Sequence, residues 1–223
     1  MKNRDMKPVR TIRLRRSLLN WKIISKRQQF MNRRVKMKIE LKQLSPLNGM
    51  AEYEMLQDLG SNENGFPNEV YGISYGEYRN WLIQQDDYSK SRNLPENYIP
   101  QSTYFLYVEE KPVGIARIRH HSSEILEKQG VGNFGYGIAK QYRGKGYGNI
   151  LFVNILEKCK SLGYTKVKSF VHMDNAASNK IFEKNGAVLT GVWNNTSNIY
   201  ETDPDVTLKK GKRWKNTVRK NDG

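Results

Sequence analysis

Polar and apolar residues alternate from Lys38 to Leu44, and a period of two predicts a first strand there. Leu47–Leu59 instead carries apolar residues at helical spacing, with Ser45 or Asn48 near its start and Gly60 after its end. Residues 60–73 hold three glycines and Pro67, which predicts a loop. Ser74 can cap a second helix, Tyr75 to about Tyr88, and a loop with Pro95 and Pro100 follows. Thr103–Val108 is an apolar strand that Glu109–Pro112 turns, and Val113–His120 alternates apolar and basic residues, so one face points inward. Ser122 or Ser123 starts a short helix through Gln129, closed by Gly130. Val131–Ala139 reads as the central strand. Ile150, Leu151, Phe152, Val153, Ile155, Leu156, Cys159 and Leu162 mark an amphipathic helix. Lys166–His172 and Ala187–Trp193 are further strands. Ile199–Glu201 and Lys212–Val218 are read as a hairpin around Pro204 that supplies the last one. Interleaved strands and helices of this kind predict a fold of the α/β class, α+β in type.

Charge divides the chain. Residues 1–38 hold fourteen Lys and Arg against Asp5 alone, a net +13, while the other 185 residues carry 24 bases and 21 acids, a net +3. The predicted organisation is a basic extension over 1–37, a domain over 38–218 and a tail over 219–223. Three readings of the extension stay open. Clustered bases bind RNA, DNA or an acidic surface through salt-dependent phosphate contacts. The segment is an address, although it lacks the apolar centre and cleavage site of a secretory signal. Or it is an extension without a role, even translated sequence upstream of a start at Met37. No run of about 18 apolar residues occurs, so no membrane span is expected. The single cysteine, Cys159, cannot form an internal disulfide and lies on an apolar helix face, which suits a reducing cytoplasm.

One stretch organises the rest: Gln141-Tyr142-Arg143-Gly144-Lys145-Gly146-Tyr147-Gly148. A strand precedes it and a helix follows. Glycines let backbone approach a ligand closely, and the free amides of a helix's first turn favour an anion. Arg143 and Lys145 add positive charge, so the expected ligand group is a phosphate or pyrophosphate. Neither the nucleotide-triphosphate loop nor the dinucleotide fingerprint fits this spacing.

Gln141, Gly144 and Gly146 do fill the pattern Gln/Arg-x-x-Gly-x-Gly/Ala, with Gly148 a further small residue. Here the chain resembles the GNAT N-acetyltransferases, which hold acetyl-coenzyme A. A second block strengthens the likeness: a strand, then Asn175, then Phe182-Glu183-Lys184, then Gly186 and Ala187. The resemblance spans roughly residues 102–193 well and 38–101 loosely. It implies a mostly antiparallel central sheet, splayed at the cofactor site and flanked by helices. It implies that Tyr136, Gly137, Ile138 and Ala139 pair with the pantetheine arm of acetyl-coenzyme A. The amides of Arg143, Gly144, Lys145, Gly146, Tyr147 and Gly148 would meet its pyrophosphate. Asn175 either contacts the cofactor arm or caps the following helix, and Phe182 stands beside the sulfur.

Direct acetyl transfer needs a base for the amine and tolerance of the leaving thiolate. Relatives often carry a Glu shortly before the Gly-Tyr of the central strand, where this chain has Asn133. The nearby candidates are His120, His121 and Glu109, with His120 preferred for its intrinsic pKa. Many relatives place a Tyr where this chain has Phe182, which leaves two alternatives: Tyr136 reaches the site from the sheet as the acid, or the thiolate, a fair leaving group, departs unassisted. The implied activity is acetyl-coenzyme A-dependent N-acetylation of a small-molecule or peptide amine. The competing reading is a basic RNA- or ribosome-binding protein with a vestigial coenzyme site. No metal is expected, and the sequence leaves monomer and homodimer open.

Overall fold

The computed structural model describes residues 37–205 and 207, and from Lys38 onward these belong to one compact unit. The readings placed on residues 1–36, and the strand predicted over Lys212–Val218, lie outside the described residues.

Four strands form an antiparallel sheet in the order β1 (Ile39–Gln43), β2 (Gln101–Val108), β3 (Lys111–Arg119), β4 (Phe134–Ile138). Three more form a second antiparallel sheet, β5 (Val167–His172), β7 (Ser197–Thr202), β6 (Val188–Trp193), with β7 in the middle. The central sheet implied by the resemblance is therefore two sheets that meet beside β4. The expected hairpin of Ile199–Glu201 with Lys212–Val218 is corrected by the same topology. Both edges of β7 are taken, by β5 and by β6, and no edge remains for another strand. The turn between β6 and β7 is Asn194-Asn195, with φ of 46° and 54°, a left-handed pair that Asn tolerates.

Alternation along β2 and β3 sends side chains to two apolar layers. Phe105, Tyr107 and Ile115 face α1 (Met50–Leu59) and α2 (Tyr75–Ser89), where Met55, Leu56, Leu59, Tyr78 and Leu82 complete the core. We call this side the front. On the back lies α4 (Tyr147–Ser161), whose Leu151, Phe152, Ile155, Leu156 and Cys159 are fully buried. A short α3 (Glu124–Lys128) precedes β4, and α5 (Ala176–Lys184) follows β5. Ser74 caps α2 with a capping box to Glu77, an arrangement that contributes about 1 kcal/mol. Tyr107 donates to Glu52 at 2.5 Å, and the other oxygen of that carboxylate accepts from Gly49 N–H at the start of α1. Among the described residues no helix is long and apolar enough to cross a membrane.

Candidate active site

The two sheets touch at one point and then part. Asn133 donates its N–H to the carbonyl of Lys168 at 2.8 Å, and its side-chain oxygen accepts from Lys168 N–H at 2.7 Å. Its side-chain amide donates to Ser122 at 3.0 Å. The residue is 3% exposed, so a side chain stands in for a strand partner inside the protein. Gly132 makes the contact possible, because a Cβ there would lie 2.6 Å from the Lys168 carbonyl. The position where the resemblance leads one to look for a base is thus occupied by a staple.

Beyond Asn133, β4 has a partner on one side only. Its Asn133 carbonyl accepts from Arg119, and Ala139 N–H donates to Val113. Antiparallel pairing alternates, so the backbone groups of Phe134, Tyr136 and Ile138 project from the other edge. Among the described residues no strand pairs with that edge. Gly135 and Gly137 let the front layer sit close: a Cβ on Gly137 would come within 2.9 Å of Leu59, and one on Gly135 within 3.4 Å of Phe66.

The strand then enters a helical turn at Lys140–Tyr142 and the glycine segment. Gly144 and Gly146 adopt φ of 76° and 83°, and a Cβ on either would meet nothing within 4 Å. Their backbone conformation, not crowding, calls for glycine, and they border open space. Gly146 caps α4 without a side chain, so the first-turn amides of Tyr147 and Gly148 have no intramolecular cap. Gly148 differs, since a Cβ there would sit 3.1 Å from Ile181. Lys145 reaches over the Tyr142 ring at 5.6 Å. Gln141 N–H donates to Asp58, which fixes the turn to α1. Arg143 is exposed, and its side chain folds back over the end of β4: Nε donates to Ile138 C=O at 2.9 Å and an Nη lies 3.4 Å from Leu59 C=O.

Behind β4, Phe134 stacks on Phe182, and Phe182 also meets Phe152 at 4.7 Å and Tyr200 at 5.0 Å. Phe182 is 1% exposed. Tyr136 adds a hydroxyl to this apolar wall and donates to Ser178 at 3.3 Å. Burial pushes its pKa up to about 12, and the Ser178 bond opposes that rise. Of the two readings of Asn175, capping is the one its contacts occupy. Its oxygen accepts from Ser178 N–H at 3.0 Å, and its amide donates to Asn64 C=O at 3.2 Å.

His120 lies past the end of β3, at the closed end of the splay. Its Nε2 is 2.9 Å from the Ser102 hydroxyl. Burial, with a smaller effect of His121, holds its pKa below the usual histidine value. Tyr136 and Phe182 thus lie with the ring cluster behind β4, Ile138 and the glycine segment continue its open end, and His120 lies at the opposite end. The sequence reading missed the front-face pair. Glu69, in the loop before α2, takes both Nη groups of Arg117 at 2.8 Å and the indole N–H of Trp81 at 3.1 Å. The sequence signal was slight: Glu69 is one of two acids, with Glu63, in a loop, and Arg117 lies on an alternating basic strand.

The sequence profile of the Acetyltransferase (GNAT) family matches residues 67–187. No curated protein matches the chain. Among solved structures, the ribosomal L7/L12 alpha-N-protein acetyltransferase RimL in complex with coenzyme A superposes with a TM-score of 0.55. Its identity is 17%, over 75% of this chain and 95% of that one. A mutant of the spermidine N-acetyltransferase SpeG from Vibrio cholerae gives a TM-score of 0.52 at 16% identity, over 78% and 98%. The protein yncA from Salmonella typhimurium, solved with its cofactor acetyl-CoA, gives 0.51 at 12%, over 75% and 94%. At such identities the likeness to these structures shows the fold alone.

Proposed function

The chain belongs to the Acetyltransferase (GNAT) family, and from that premise we propose that it moves an acetyl group from acetyl-coenzyme A to a primary amine by direct attack. The observation that carries this reading is the unpaired edge of β4 running into a turn whose two left-handed glycines border open space. The amide and carbonyl of Tyr136 and the amide of Ile138 suit the amide groups of a pantetheine arm, while the Ile138 carbonyl is held by Arg143. The uncapped amides of Tyr147 and Gly148 suit a pyrophosphate. Lys145 adds charge from the rim, and Arg143 acts by holding Ile138 and the turn in place.

The coenzyme supplies the activated thioester. The amine nitrogen bonds to its carbonyl carbon, the carbon–sulfur bond breaks, and the amine gives up one proton while the sulfur gains one. Tyr136 is the residue we assign to the sulfur. Its hydroxyl keeps its proton at neutral pH, bonds Ser178 one turn before Phe182 on α5, and belongs to a residue whose backbone faces the open edge of β4. A strand phenol thereby replaces the one missing at Phe182. His120 suits the base less well, because its Nε2 is engaged with Ser102 at the far end of the strand. Solvent water at the cleft mouth is the proton acceptor we favour.

The test is thiol release from acetyl-coenzyme A against a panel of amines and peptides, using the chain from Met37. Wild type should release thiol in an amine-dependent way. Tyr136→Phe should lower kcat about ten- to hundredfold, the range typical of a general acid, with coenzyme affinity unchanged. Amine-independent release, or an unaltered kcat in the variant, would reject the respective assignment.

A further inference from the structure

The front face of β3 carries two guanidinium groups and one carboxylate. Arg117 and Arg119 are two residues apart on the strand, so both side chains leave the same face. Arg117 is spent on Glu69, and its Nε is buried without a partner. Arg119 donates one Nη to the Gly132 carbonyl at 2.7 Å and forms no ion pair among the described residues. The ionisable groups that act on it are Tyr98, Arg117 and Tyr164, none of them a carboxylate. Burial draws its pKa down, as expected of a guanidinium partly withdrawn from water. Tyr98 accepts from the Gln101 amide at 2.7 Å, which leaves its own proton to donate. A partly buried cation without a counter-ion is costly, and this one has a hydroxyl donor beside it.

Position narrows what the missing anion is. Arg119 N–H donates to Asn133, so the residue stands at the closed end of the splay. Its face of the sheet is the one opposite the ring cluster, the face that also carries the Arg117–Glu69 pair. From Asn133 the chain runs six residues to Ala139, roughly 20 Å at the rise of a strand, before the glycine segment begins, so a phosphate bound there does not reach.

We infer that the acceptor is an amine that carries a carboxylate, an amino acid or a peptide, and that Arg119 binds this carboxylate with Tyr98 donating to it. The inference rests on the acetyl-transfer reading above. A polyamine would meet two guanidiniums and a single paired carboxylate, and is disfavoured.

Acceptors that share an amine and differ in the carboxylate provide the test: free amino acids and dipeptides against their C-terminal amides, with spermidine as a polyamine. Wild type should show kcat/KM at least tenfold higher for the carboxylate members, and the better of amino acid and dipeptide identifies the source. Arg119→Gln should raise KM for those members ten- to hundredfold and leave the amides within twofold. A readout without turnover is calorimetry of N-acetyl amino acids against N-acetyl amino amides in the presence of coenzyme A. Equal affinity for the two, or an equal loss of both in Arg119→Gln, overturns the inference. If that variant does not fold, Arg119→Lys and the wild-type pairs decide it alone. Coenzyme A binding is measured first: its absence rejects the acetyl-transfer reading, whereas binding without carboxylate preference rejects only this step.

Discussion

The two ends of β4 solve opposite problems. At the closed end, Asn133 spends its backbone and both side-chain atoms on Lys168 and Ser122, and Gly132 lets the second sheet press against the chain. At the open end, Gly144 and Gly146 have nothing near them, and the helix begins without a capping side chain. Polar groups are satisfied where the sheets meet, whereas where they part β4 has a strand partner on one side only among the described residues. The contrast shows how two sheets come to splay: they are fastened at one point, and beyond it β4 carries the front layer close on its glycines and the Arg143 side chain on its last carbonyl.

The largest expected effect breaks the open end. Gly146→Asp puts a carboxylate at the cap of α4. There it competes for the first-turn amides and repels a pyrophosphate. Calorimetry should show coenzyme affinity reduced at least a hundredfold, about 2.7 kcal/mol by the usual conversion. Asp tolerates left-handed backbone better than most residues and is itself a helix cap, so stability should change by no more than about 1 kcal/mol. Full coenzyme affinity in this variant would remove the turn from the site.

The next effect belongs to the closed end and has the reverse signature. Asn133→Ala deletes two side-chain bonds at a buried position and strands the Lys168 N–H. An unsatisfied buried donor and the lost bonds together cost about 2–3 kcal/mol. Denaturant unfolding should read that loss, and amide exchange at Lys168 should accelerate. Coenzyme affinity should fall less than tenfold, because the turn does not contact Asn133. A drop in affinity as large as that of Gly146→Asp would mean that the two ends are not independent.

What could be read from sequence follows this same division. The open end is local: Gln141 through Gly148 lie in one continuous run, so spacing alone exposed the glycine turn and its helix. The closed end is tertiary. Asn133 meets Lys168 across 35 positions, and Arg117 meets Glu69 across 48, and nothing in either neighbourhood names its partner. Arg143 shows the limit within the legible run, because its place in the loop was visible and the direction of its side chain was not. Asn194-Asn195 was legible and overlooked. Two asparagines between apolar runs are a tight-turn signal, and heeding it would have paired β6 with β7.

The smallest effect sharpens the comparison through pH. His120 sits with Ser102 at the closed end, and its folded pKa lies below that of a free histidine because burial disfavours the charge. As pH falls through about 6.5 the unfolded chain therefore takes up this proton before the folded one does. Stability is whole above neutrality and declines as pH drops from there toward the lower folded value. One proton limits the slope to about 1.4 kcal/mol per pH unit. Unfolding midpoints at pH 7.5 and 5.5 should separate for wild type and converge for His120→Gln, whose side chain can still bond Ser102. If the histidine were instead the base of the reaction, the same variant would lose kcat at every pH while its acid sensitivity stayed as in wild type. The two outcomes assign His120 to holding the end of β3 against β2 or to the chemistry.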